Sequence, residues 1–372
     1  QLHARVATQA YNQGGQMAAQ ERVQLQATEI DNHQGSIQSA GTLGLTTSGT
    51  LNNGEGQLQS GQTLNVKAGV LRNAGTIYSQ GVATFKLGQL DNAGTMASRT
   101  DLQINADETL TSQAGSVLAA GLNTDGALSN QGNLMLTAGQ TIAVHGKALA
   151  GDQFTARIGD GLANTGRIDL SDSKVNAAHI TVQAAEVKTR QAAVTTVGKL
   201  KLSADHWHNQ QGTLQGGGLD LQLKHLYNQG GRLVQTGTAA SALTLQSFNN
   251  DDGLIASNGV DFSLRADTLS NVAGQLQHAG AGTFQLKANE LNSTRGQIAS
   301  NGLLAIAGGR FVLDGGQVNA AQIKLHAASL SNVDGKVMQS GGGTSEITVT
   351  GAVDNTRGQL ASNGDFHLTA GS

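Results

Sequence analysis

Apolar and polar residues alternate in short runs, and the runs return about every twenty residues along the whole chain. Each unit opens on an apolar residue, carries Asn two positions later and Gly two or three positions after that. Leu51-Asn53-Gly56, Leu71-Asn73-Gly75, Leu90-Asn92-Gly94 and Leu128-Asn130-Gly132 follow this order in the first half. Leu226-Asn228-Gly230, Phe248-Asn250-Gly253, Leu269-Asn271-Gly274, Leu330-Asn332-Gly335 and Val353-Asn355-Gly358 follow it in the second. Next comes an apolar-x-Ser run, as at Ile37 and Ser39, Leu58 and Ser60, or Ile298 and Ser300. An apolar-x-apolar run then closes the unit, as at Leu64 and Val66, Phe85 and Leu87, or Phe262 and Leu264.

Strict alternation predicts strands with one buried face, and the runs are too short for helices. A unit of about twenty residues makes one turn of a coil, whose equivalent strands pair in parallel about 4.8 Å apart. The predicted fold is therefore all-β: a right-handed parallel β-helix of about 18–19 turns, with three short strands per turn. It should run through residues 1–372 as a single solenoid. Leucine-rich repeats have a similar period, but they need L-x-x-L-x-L spacing where this chain offers two-residue alternation. The recurrent Asn fits a sharp corner, where it tolerates left-handed backbone and its amide can bond nearby groups. Identical side chains stacked turn upon turn would then form a ladder.

The pattern falters between residues 140 and 206. Leu162-Asn164-Gly166 still matches, but residues 175–197 carry no clear corner. Either the corners change there or a surface element leaves the coil; in solenoids, insertions map to surface loops.

Composition supports the strand reading. The chain has no proline, where average usage predicts about 19. Proline would remove an N–H that paired strands need. The 51 glycines suit corners that require positive φ. With no cysteine, disulfides and thiolate metal sites are excluded. Net charge is −3 and 13% of residues are charged, with scattered basic positions, so no nucleic-acid partner is indicated. The repeat reaches both ends of the chain, which reads as an internal fragment of a larger protein.

Candidate chemistry is sparse. Acids occur side by side at Asp107-Glu108 and Asp251-Asp252, and Asp152 and Asp160 flank a candidate loop. None recurs at one strand position over successive turns, as a glycan-cleaving groove would require. His206 and His208 share a strand face, which is the spacing for two metal ligands. Trp207 between them takes the apolar slot, so both imidazoles should face water. Phe85, Phe262, Phe284 and Phe366 hold equivalent inward slots and should stack in the core. Tyr78 is expected on the surface. Arg295-Gly296 and Arg357-Gly358 are each followed by Gln, so no Arg-Gly-Asp is present, and Asn292-Ser293-Thr294 matches a glycosylation sequon. No residue stands out as catalytic, cofactor-binding or metal-ligating.

Leu90-Asp91-Asn92-Ala93-Gly94-Thr95-Met96-Ala97-Ser98 and Leu330-Ser331-Asn332-Val333-Asp334-Gly335 resemble the haemagglutinin repeat of filamentous haemagglutinin-type exoproteins. Those large Gram-negative surface proteins use two-partner secretion and include adhesins and contact-dependent growth-inhibition effectors. The resemblance implies a right-handed β-helical shaft, export through an outer-membrane transporter, and secretion to the bacterial surface. Through its parent the shaft would meet a target-cell receptor or glycan, and as a fragment it would associate end to end. The family's Asn-Pro secretion motifs and the Val-Glu-Asn-Asn motif before many toxins are absent from this sequence. Three functions follow: a non-catalytic shaft, a directly adhesive segment, or a polysaccharide-cleaving enzyme on a β-helix.

Overall fold

Along each strand the alternating residues separate into core and solvent faces. In Arg22–Ala27, Val23, Leu25 and Ala27 are buried while Arg22, Gln24 and Gln26 are exposed. The computed structural model describes residues 1–159 and 165–372. Asp160, Leu162 and Asn164, singled out above, lie outside the described residues. No helix occurs among the described residues, and the strands pair in parallel from turn to turn. The fold is an all-β parallel β-solenoid of about 18 turns. Its strands belong to two compact units, Gln1–Lys188 with Ala193–Val197, and Thr189–Ala192 with Gly198–Ser372.

In the first unit, like residues stack in columns. Val66 pairs with Leu45 and Phe85, Leu71 with Leu51 and Leu90, and Ile77 with Leu58 and Met96. Two sides of a turn often run as one bent strand, such as Leu64–Asn73. Asp107 and Glu108 together oppose Gly88, where the register between Ala83–Asn92 and Leu102–Ser112 shifts at a bulge.

One sequence assignment fails here. Leu128-Asn130-Gly132 has the wording of a corner, yet Leu128 is 37% exposed in a loop bridged to Leu122. The residue paired with Leu110 is Ile142. Residues 121–133 therefore leave the coil, and paired positions across them, such as Asp101 and Asn133, are 32 residues apart. A single copy of the motif cannot reveal this, because Leu128 lacks a column to enter.

Among the described residues of the first unit between 140 and 197, the strands go on pairing in parallel. Strands Thr141–Val144, Lys147–Ala150 and Gln153–Ile158 pair onward with Arg167–Asp169, Lys174–Ala177 and His179–Gln183. The corner at Leu170 is built without Asn or Gly: Asp172 takes φ 60° and the Ser173 hydroxyl donates to the Leu170 carbonyl at 2.6 Å.

The second unit is filled by larger side chains. Trp207, Leu226, Phe248, Leu269, Leu291 and Phe311 form one buried column through successive strand pairs. Phe262 and Phe284 stack with centroids 5.0 Å apart, and both are buried. Phe85 is buried in the first unit. Phe366 departs from the expected core: it is 39% exposed, its strand pairing with Ser345–Val349.

The corners correct a second expectation. The Asn does not take left-handed backbone; the residue two positions after it does at many corners, and that residue is glycine at Gly14 and Gly230, with φ of 58° and 62°. Gln34, Glu55, Asp252 and Arg357 have φ of 53°, 54°, 55° and 54°, each two positions after Asn or one before Gly. Gly N–H closes the turn onto the Asn carbonyl, at 3.0 Å for Gly35 and Asn32 and 2.9 Å for Gly253 and Asn250. The glycine that ends the corner is needed for close approach. A Cβ on Gly56 would lie 2.2 Å from the Asn32 carbonyl oxygen of the preceding turn, and one on Gly253 2.3 Å from that of Asn228.

The Asn side chains make the expected ladder in each unit. Asn12, Asn32, Asn53 and Asn73 each donate to the next Oδ1 at 2.7–2.8 Å, and Asn92 ends the run on Ser112 Oγ at 3.0 Å. In the second unit Asn209, Asn228 and Asn250 repeat it at 2.7 Å, and Asn271 donates to Ser293 Oγ at 3.0 Å. Trp207 Nε1 donates to Thr189 Oγ1 at 2.9 Å, and that hydroxyl donates to Asn209 Oδ1 at 2.8 Å. The amides of these runs are thereby paired, as their desolvation demands.

Candidate functional site

The acids nominated by sequence do not converge. Glu108 accepts from Gln89 at 2.5 Å on an exposed bulge. Asp251 accepts from Ser270 Oγ at 2.6 Å and from the Val272 N–H at 2.8 Å, and so braces the corner of the next turn. Asp152 is exposed at a turn. Among the described residues, no three His, Asp or Glu side chains are grouped to hold a metal.

Stacking gathers residues that are distant in sequence. His206 lies 4.6 Å from His225 with an interplanar angle of 14°, and His208 lies 4.7 Å from Tyr227 at 6°. Trp207 is fully buried between the two outward histidines. Burial, then the neighbouring His206 and Lys224, hold the His225 imidazole below its ordinary pKa. His225 Nδ1 is 2.7 Å from Ser247 Oγ. Sequence reasoning singled out His206 and His208 but missed His225 and Tyr227. Counting one repeat forward from each would have found both.

Tyr78 is half-buried and not freely exposed. Its hydroxyl donates to the Leu122 carbonyl at 3.0 Å, which ties the 121–133 loop to the strand face and leaves a groove of about 430 Å³. Burial raises its phenol pKa above the ordinary value. Arg22, Lys67 and Lys86 line another groove of about 380 Å³, and Lys67 and Lys86 are direct partners in register. Their spacing in sequence hid this basic pair. In the sequon, Asn292 is exposed and its Oδ1 accepts from Thr294 Oγ1 at 2.7 Å.

The repeat that builds these columns has known relatives. The haemagglutinin-repeat model matches residues 1–146 and 279–372. This chain belongs to the haemagglutinin-repeat family. The matched segments hold the ladder from Asn12 to Ser112 and the pair Asn332 and Asn355. Between them, Asn209, Asn228, Asn250 and Asn271 carry the same Asn ladder. The chain is 30% identical over 210 residues to the protein named Toxin CdiA of Yersinia pestis, an alignment covering 53% of this chain and 6% of that protein. It is 31% identical over 237 residues to the one named Deoxyribonuclease CdiA of Dickeya dadantii (strain 3937), covering 62% of this chain and 7% of that protein. The chain thus spans only a small share of either relative's length. No solved structure matches it.

Proposed function

We propose that this haemagglutinin-repeat solenoid is a non-catalytic shaft of a Gram-negative surface exoprotein, projecting an adhesive or toxin-delivery module. The observation that carries the reading is the in-register stacking of inward residues and Asn corners within each unit. Solenoid repeats stabilise one another neighbour by neighbour, which suits a part whose task is reach. In this reading the activities named for the two relatives belong to portions of those proteins outside the aligned 6% and 7%. Export would use an outer-membrane two-partner transporter, the parent would be displayed at the cell surface, and its contact would be a target-cell receptor or glycan.

The test exchanges this segment, in the full-length parent, for an equal number of turns from another haemagglutinin-repeat region. A shaft keeps target-cell killing or attachment after the exchange and loses it when turns are deleted without replacement. Loss of activity after an equal-length exchange with normal surface display overturns the shaft reading.

A further inference from the structure

Strand Thr42–Thr47 of the first unit carries a glycine that the fold does not require. Gly44 lies mid-strand at an outward position, between Gln24 of the preceding turn and Asn65 of the next. Its backbone is not left-handed, and a Cβ there would meet nothing nearer than 3.9 Å. Gly41, at the corner before, differs: a Cβ on it would lie 1.9 Å from the Glu21 carbonyl oxygen. Glycine inside a strand costs backbone entropy and packs nothing, and it often marks a place where a ligand approaches. The missing side chain at Gly44 deepens the groove of about 380 Å³ whose lining includes Arg22, Lys67 and Lys86. We propose that this groove binds a phosphate monoester, seated over Gly44 with its oxygens facing those three cations.

Charge and donors at the groove favour a dianion. Lys67 and Lys86 face each other in register on adjacent strands, where like charges oppose pairing. No acid offsets them: the stacked residues 22–27, 42–47, 64–68 and 83–87 contain no Asp or Glu. Arg22, Lys67 and Lys86 make no ion pair among the described residues. Glu21, next to Arg22 in sequence, accepts instead from Gln1 Nε2 at 3.0 Å. Three unneutralised cations around one hollow suit a ligand with more than one negative charge. A phosphate monoester carries about −1.5 to −2 charge near pH 7 and three acceptor oxygens. Lys meets phosphate as a point charge and Arg as a planar fork. Thr46, Asn65 and Thr84 also line the groove and add hydroxyl and amide donors. The same phosphate group occurs on small soluble molecules and on lipid headgroups, and the two sources are separable by experiment. Binding here neither requires nor alters a shaft role.

The test is calorimetric titration of the whole chain with glycerol 3-phosphate, beside co-sedimentation with phosphatidylcholine vesicles with and without phosphatidic acid. Saturable binding of glycerol 3-phosphate at about 1 mM or tighter supports the site with a soluble ligand. Sedimentation only with the phosphatidic acid vesicles supports it with a lipid as the source. Gly44→Gln keeps every charge but fills the hollow, and should weaken binding at least about tenfold. Lys67→Gln combined with Lys86→Gln should do the same. Lys174→Gln, on another side of the coil, should stay within about twofold. Circular dichroism identifies a variant that fails to fold, and either the folded Gly44 variant or the folded double variant decides. Binding of neither probe overturns the proposal. So does binding that survives a folded Gly44→Gln or double variant unchanged, the mark of diffuse charge without a built site.

Discussion

Asn53 donates its amide to Asn73 Oδ1 at 2.8 Å one turn on, while its own Oδ1 accepts from Asn32 at 2.8 Å. Both bonds are buried, so Asn53→Ala leaves polar atoms unpaired on either side. A loss of about 1–3 kcal/mol follows, measured by urea unfolding of the chain. An unchanged midpoint would show the ladder to be energetically idle.

Leu313 supplies the converse case. It interrupts the ladder before Asn332, whose Oδ1 is buried without a hydrogen-bond partner. Leu313→Asn restores a donor, worth about 1–3 kcal/mol, but removes a buried leucine worth about 1.5–3 kcal/mol. The two terms nearly cancel. Leu71→Asn loses the same burial and also strands an amide among Leu51 and Leu90, so it should destabilise far more in the same unfolding assay.

Gly253→Ala brings a Cβ to 2.3 Å from the Asn228 carbonyl oxygen, so the backbone of two turns must separate. Gly218→Ala meets nothing within 4 Å. Thermal melts should separate them, with the first variant markedly less stable and the second within about 1 kcal/mol of the parent.

Thr189 joins the only tryptophan to the ladder. Thr189→Val removes the acceptor for Trp207 and the donor to Asn209, a cost of about 1–3 kcal/mol. Intrinsic fluorescence should shift because the indole N–H loses its partner. An emission maximum and midpoint both equal to the parent's would refute this link.

Asp334 receives two bonds at 2.6 Å from Arg357, and they hold its carboxyl below the ordinary value of 3.8. A depressed folded pKa gives stability that is present above the unfolded value and lost as pH falls through the folded one. For this pair the window lies below about pH 4. NMR titration should show the Asp334 midpoint rising in Arg357→Gln. The His225 sign is similar: its neutral form is favoured in the fold, so its contribution fades as pH drops below 6.5. His206→Ala should raise the His225 midpoint.

The sequence alone determined the repeat, the strand alternation, the buried slots of Phe85, Phe262, Phe284 and Trp207, and the Asn ladder. These are legible because a period of two sets which face is buried, and because equal spacing places identical residues in one column. Tertiary structure decided what depends on the neighbouring turn. Leu128-Asn130-Gly132 has the right wording but no column to join, and corner glycines such as Gly56 and Gly253 answer to a carbonyl one turn away. The His206–His225 and His208–Tyr227 stacks and the Lys67–Lys86 pair likewise arise from register between turns, which depends on the length of every intervening corner and loop.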